Sequence, residues 1–483
     1  MIYLSLFFVL VLSLLAFFNW RLGLTLSVIT ALAQDPLRKL TPDEPAYFNL
    51  FVGVVFAAAV AGCLIKSKTL DIDRFAEKGS NLRLALGLTL TVILLQSLHS
   101  LLRFGVPQVT LIGLLNYLVP FIAIIYIAKL RETMDLSEIR KFFRVYLYLA
   151  IPAVFTVYLE QAGLESPLFG EVGVGIWITD LGTILQAYSG IYRAAEIAAW
   201  HIFTCASLLI LMSTYDKPTL LKSIGIFLLV AVLIYIGVFT GRRKFIVMVA
   251  IFVVSYGALL LWSSQKHRHV AIGLGMMATL AFLLFGGERF DPNTGYVEVI
   301  GERSAAELYL SRSSGVFGDI QERFTGLGIA PVSWAYTRTG FFGAGVGVGT
   351  QGVQHLGNFS SLVGGAAEGG LGRLMVELGA PGLVLIAILV GLIVHRLFTT
   401  AESKRITSRR DKRFFCGLIA VAIANVASYT IAQGMFGDIF VLLFNGVVFG
   451  ALLTFARETQ VARRTSRAPR NAVSGTAMPV PTR

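Results

Sequence analysis

The residues able to do chemistry are unevenly placed along this chain. Between Gly287 and Met375 lie Arg289, Arg303, Arg312, Arg323, Arg338, His355, Glu368 and Arg373, with a dense run of glycines, and no stretch there is long enough to cross a bilayer. Two further groups stand apart from that segment: Gly241-Arg242-Arg243-Lys244, and Tyr192-Arg193-Ala194-Ala195-Glu196-Ile197-Ala198-Ala199-Trp200-His201. Arginine holds phosphate or diphosphate through a bidentate fork of N–H donors. A carboxylate such as Glu368, or a neutral imidazole such as His355, could take a proton from an acceptor hydroxyl. No His/Asp/Glu grouping has metal-ligand spacing, and no serine sits in a nucleophile elbow.

The elements that must position these groups are membrane spans. The chain has 483 residues, 55% of them hydrophobic and 14% charged, with a mean hydropathy of +0.74. Soluble domains carry about 25% charged residues, so the composition is that of an integral membrane protein. Apolar stretches occur at 2–18, 46–65, 84–102, 107–128, 144–163, 196–214, 221–240, 244–263, 270–286, 376–397, 414–432 and 436–455. The spacing predicts an all-α polytopic fold of about twelve transmembrane helices, with a long loop between the ninth and tenth. The stretch Leu22–Ala33 is too short for a full crossing and reads as a half-helix or re-entrant segment. The expected divisions are helices one to nine over 1–286, a loop covering the active site over 287–375, helices ten to twelve over 376–455, and a disordered basic tail over 456–483. The first stretch lacks a basic n-region and a small-residue cleavage site, so it reads as a retained helix rather than a signal peptide.

The net charge of +13 invites a nucleic-acid reading, but the basic residues are scattered among short loops beside apolar spans. Clusters at Lys66–Arg83, Lys129–Arg144, Lys217–Lys222, Lys266–Arg268, Lys404–Arg413 and Arg463–Arg470 all fall on one side if twelve spans are threaded. The positive-inside rule makes that side cytoplasmic, puts both termini there, and places the 287–375 loop outside. Cys63, Cys205 and Cys416 lie inside apolar stretches, an arrangement that suits neither a disulfide framework nor a metal site.

That topology makes Gly241–Lys244 anomalous, because three adjacent cations then sit on the outer face. They repel one another unless something anionic is present. A phosphate or diphosphate would serve; so would lipid headgroups reached by snorkelling side chains. At the outer end of the sixth span, Arg193, Glu196 and Trp200 share a helical face, either as a site or as an ion pair with an interfacial anchor. The run Phe341–Thr350 superficially resembles a phosphate-cradling loop but lacks G-x-x-x-x-G-K-[ST] and a βαβ context. Its glycines are better suited to bringing backbone close to a ligand or into the membrane plane. Glu377, near a helix start, has a bland reading as a partner of the helix dipole.

The arrangement resembles the O-antigen ligase and O-antigen polymerase superfamily of bacterial envelope enzymes. The residues that carry the resemblance are Thr240-Gly241-Arg242-Arg243, the Gly343–Gly349 run, His355, Glu377-Leu378-Gly379-Ala380-Pro381-Gly382 and the Arg193–His201 span opening. The usual His-Asn pair is absent, since Leu356 and Gly357 follow His355. The resemblance implies a GT-C-like membrane glycosyltransferase that needs no cofactor or metal. It would work at the periplasmic face of the inner membrane on an undecaprenyl-diphosphate-linked glycan. Arg242, Arg243, Arg193, Arg338 and Arg373 would bind the diphosphate, and Glu368 or His355, with Glu377 as a third candidate, would be the base. Other polysaccharide assembly and export proteins would be its partners, and nucleic acid would not. A polymerase making exopolysaccharide or O-antigen is the preferred expectation. The alternatives are a ligase acting on lipid A-core, a transporter, or a non-catalytic assembly partner.

Overall fold

The computed structural model describes residues 1–67, 76, 79–133, 136–172, 178–180, 183–216, 219–263, 324–350, 356, 363–364, 369–402, 406 and 408–465. They form an all-α polytopic membrane protein. Among the described residues, ten helices are long and apolar enough to cross a membrane. Together with the shorter apolar helix Ile2–Phe18, they correspond to every expected span except 270–286, which lies outside the described residues.

In chain order the helices are α1 (Ile2–Phe18), α2 (Gly23–Lys39), α3 (Phe51–Ser67), α4 (Asn81–Phe104), α5 (Pro107–Thr133), α6 (Leu136–Gln161), α7 (Ala195–Asp216), α8 (Leu220–Phe239) and α9 (Arg243–Ser263). After 264–323 come α10 (Ala330–Thr339), α11 (Gly370–Glu402), α12 (Arg409–Ile431) and α13 (Ile439–Thr465). A small antiparallel hairpin, Ile178–Asp180 with Thr183–Leu185, lies in the connection between α6 and α7.

Small residues decide which helices are central. α7 carries Ala195, Ala198, Ala199, Thr204, Ala206 and Ser207, all buried, which lets its neighbours approach closely. α13 presents Gly446 and Gly450, one turn apart, to α5; a Cβ on Gly446 would lie 2.6 Å from the Pro120 carbonyl. α8 and α11 instead expose leucine, isoleucine and valine side chains such as Leu228, Val232, Val384 and Ile388, as lipid-facing helices do. α2 differs from the expected half-helix. It is a 17-residue helix whose second half buries Gln34 and Asp35. Those polar side chains fall outside the apolar pattern, so hydropathy alone truncated the helix.

The charged groups sort to the two ends of the bundle. At one end Arg144 pairs with Asp216 at 2.9 Å, Arg140 lies over the Tyr215 ring, and Lys412 and Arg413 donate to the Ser263 and Thr214 carbonyls. These residues belong to the basic clusters that the sequence threads onto a single side. Arg193, Arg242 and Glu377 stand at the opposite ends of the same helices or their neighbours.

Candidate functional site

Two buried ionic networks occupy that second end. The first draws on helices α2, α6, α7 and α9, the connections α6–α7 and α8–α9, and the start of α13. Arg193, just before α7, sits between two carboxylates: Asp35 of α2 at 3.4 Å and Asp438, at the start of α13, at 2.5 Å. Asp438 also accepts from the Phe440 and Val441 backbone amides, so one carboxylate caps α13 and holds Arg193. Asp35 additionally accepts from the Arg193 backbone amide.

The connection from α6 to α7 is pinned from both flanks. Glu160 accepts from the Ser189 and Gly190 amides, and the Lys39 ammonium donates to the carbonyls of Leu168, Gly190 and Tyr192 at 3.0, 2.8 and 2.7 Å. Burial pushes the Lys39 ammonium down to about 8 against the pull of Asp35, Glu160, Glu44 and Glu171. The same burial raises the Asp35 carboxyl, although Arg193 draws it back.

The turn between α8 and α9 completes this network. Gly241 takes the left-handed conformation, φ 65°, that swings the chain from α8 into α9. Arg242 Nη2 lies 3.3 Å from Glu171, and its Nη1 lies 3.6 Å from Glu196. Lys244 Nζ is 2.9 Å from the other oxygen of Glu196. The anion that the adjacent cations require is therefore supplied in part by the protein's own carboxylates. Neither carboxylate meets Arg242 as a bidentate fork, and the buried Arg242 Nε has no acceptor among the described residues. Arg243 adjoins this pair in the chain.

The second network is built on α11. Arg373 and Glu377, one turn apart, are 4% and 0% exposed, with Arg373 Nε 3.3 Å from the carboxylate. Glu377 accepts from Tyr117 Oη at 2.6 Å, the Gly349 amide at 2.9 Å and Thr350 Oγ1 at 3.1 Å. Arg373 donates to Gln433 and to Thr350. The dipole reading of Glu377 is thus too small, because its partners come from α5, the glycine run and Arg373, which in turn reaches Gln433 in the connection between α12 and α13. Gln433 and Asp438 flank a short 3-10 helix, Gly434–Gly437, so one six-residue segment ties the two networks together.

The glycine run explains how this network closes. Residues 343–350 are all buried, and the run threads between α4, α5 and α11 rather than lying over an opening as a cover. The Val346 amide donates to the Gln96 carbonyl and the Ala344 amide to the Val376 carbonyl. Gly347, φ 101°, lies against the Val109 carbonyl and Gly113, where no side chain fits. The glycines thus let the backbone enter the helical bundle among α4, α5 and α11.

Of the other expected site residues, Arg338 is exposed on α10 and stacks over Trp334. His355 and Glu368 lie outside the described residues, as does most of 287–375. His201 is an aromatic-core residue: it stacks on Tyr192 and Phe440, and its Nδ1 is 2.8 Å from Tyr146 Oη. Arg193, Arg242 and Lys244 are thus brought to one place, and Arg373 to a separate one. Sequence reasoning missed Asp35, Glu171, Asp438, Lys39 and Gln433. The available signals were Asp35 and Lys39 at the end of an apolar helix and Asp438 before another. Among the described residues, no three His, Cys, Asp or Glu side chains group to hold a metal ion.

No known family model matches the chain, and no curated protein matches it.

Proposed function

We propose that the protein is a membrane glycosyltransferase that polymerises undecaprenyl-diphosphate-linked oligosaccharide repeats into exopolysaccharide or O-antigen at the periplasmic face of the bacterial inner membrane. The observation that carries this reading is Arg242. A guanidinium only 12% exposed, with a buried donor unfilled among the described residues and Lys244 beside it, suits a multiply charged phosphate group better than the two single-contact carboxylates it now meets. Ionisable side chains gathered at one end of a membrane bundle mark a substrate pathway by default, because burying them is costly. The basic clusters at the other end support the assignment of that other end to the cytoplasm.

In this reading the anomeric carbon–oxygen bond to the diphosphate breaks as the acceptor hydroxyl attacks. The hydroxyl proton passes to a base, His355 or Glu368, and the diphosphate leaves with its charge neutralised by Arg242, Arg243 and Lys244. Arg193 already holds two carboxylates in the network of that turn, and Arg373 holds Glu377 in the separate one. Arg338, exposed on α10, is free to meet the glycan or its diphosphate. The activated lipid supplies the driving force, so no nucleotide is required on this side of the membrane.

Glycan-length analysis in cells expressing Arg242→Ala, Arg243→Ala, His355→Ala or Glu368→Ala at normal protein levels tests the reading. Accumulated short lipid-linked chains support a polymerase. Long lipid-linked chains that never reach lipid A-core would assign a ligase instead. Wild-type glycans in all four would overturn enzymatic activity at this site.

A further inference from the structure

The two carboxylates that meet Arg242 are not held alike. Glu171 is 8% exposed, and the oxygen facing Arg242 also accepts from the Ala195 amide at 2.8 Å, which fixes it to the start of α7. Glu196 is 23% exposed, and its partners among the described residues are Lys244 at 2.9 Å and Arg242 at 3.6 Å, the second beyond hydrogen-bond range. One carboxylate is part of the framework. Among the described residues, the other is held only by the cations that a phosphate would also seek.

We propose that Glu196 is a resident counter-ion that an incoming lipid diphosphate displaces from Arg242 and Lys244, and that this exchange sets selectivity for diphosphate over singly charged phospholipid headgroups. The inference rests on the proposed lipid-diphosphate substrate. A membrane surrounds this site with phosphodiester headgroups at far higher concentration than any glycan carrier, so an open pair of cations would be occupied by them. A phosphodiester carries one charge and gains little by replacing a carboxylate of equal charge. A diphosphate carries more charge and offers oxygens to both cations and to the unfilled Arg242 Nε, so it outcompetes Glu196. Lys244 and Arg242 stay neutralised while the site is empty, which lets three adjacent cations persist at the membrane surface without mutual repulsion opening the turn.

The test uses the full-length protein in nanodiscs of phosphatidylcholine, with labelled undecaprenyl diphosphate as probe and phosphatidylglycerol as competitor. Glu196→Gln is expected to bind the probe about tenfold tighter and to become sensitive to phosphatidylglycerol, which leaves the wild type unaffected. Glu196→Asp keeps the charge but withdraws it by one methylene, and is expected to give an intermediate gain; it carries the test if the glutamine variant does not fold. Wild-type-like or weaker probe binding by the folded variant, with phosphatidylglycerol still without effect, would overturn the counter-ion role and leave the diphosphate reading standing. Binding of the probe to neither wild type nor variants would overturn both.

Discussion

Removing Arg373 from its network exposes how much of this fold depends on an ion pair sealed inside it. Arg373→Met leaves Glu377 with no exposed surface and no compensating cation among its hydrogen-bond partners, which are Tyr117, Thr350 and the Gly349 amide. Breaking a buried pair from one side costs about 3–5 kcal/mol, because the remaining charge stays desolvated. Gln433 and Thr350 each also lose a donor. Glu377→Gln alone leaves the guanidinium buried and costs a similar amount. The double variant Arg373→Met/Glu377→Gln removes both charges and keeps an amide oxygen for the Gly349 N–H. Its cost should therefore fall short of the sum of the single costs by about 2 kcal/mol, within the range found for residues sharing one network. Reversible unfolding in mixed micelles, followed by tryptophan fluorescence, gives all four corners of the cycle. Additive costs would refute the reasoning, since they would mean that the two charges do not compensate each other.

Two glycines with nearly the same backbone separate strain from crowding. Gly340 has φ 74° and ψ −170°, with open space where a Cβ would lie; Gly379 has φ 69° and ψ −174°, with the Phe341 carbonyl 2.5 Å from that position. Gly340→Ala should cost about 1–3 kcal/mol of backbone strain alone, and Gly379→Ala clearly more, as read from the same unfolding assay; equal costs would contradict the buried path of the glycine run. Lys39 gives a pH signature. Its folded value, about 8, lies below the ordinary 10.5, so the unfolded chain holds this proton more tightly. The cost of keeping it charged in the fold is fully present below pH 8 and is relieved as pH rises toward 10.5. Amine labelling of Lys39 against pH, read by mass spectrometry, should show a midpoint near 8, and a midpoint at the ordinary 10.5 would contradict the burial.

The spans were legible because hydrophobic length is a local property: each apolar stretch answers to the bilayer alone. So was the one-sided gathering of basic groups such as Arg140, Arg144, Lys412 and Arg413. The Arg242 turn stood out for the same reason, as cations on the side where the pattern put none. What the sequence hid was pairing at a distance. Arg193 meets Asp35 across 158 residues, and Tyr117 meets Glu377 across 260. Nothing in the spacing of those residues announces the contact. Glu377 shows the limit well: its local setting, one turn after Arg373 near a helix start, fits a modest dipole role. Only the path of residues 343–350 through the bundle turns it into the centre of a sealed network. α2 was cut short for a related reason, since Gln34 and Asp35 look polar until Arg193 arrives to meet them.

Reconstitution tests the central claim most directly. Purified protein in vesicles would be supplied with a synthetic undecaprenyl-diphosphate-linked repeat, and the lipid-linked products resolved by length. The account predicts chains of two or more repeats with release of undecaprenyl diphosphate. It also predicts a fall of about 30- to 1,000-fold in that rate for Arg242→Met, the loss of about 2–4 kcal/mol expected when one charge-assisted contact to a developing anion is removed. Chain growth by Arg242→Met at the wild-type rate would contradict it.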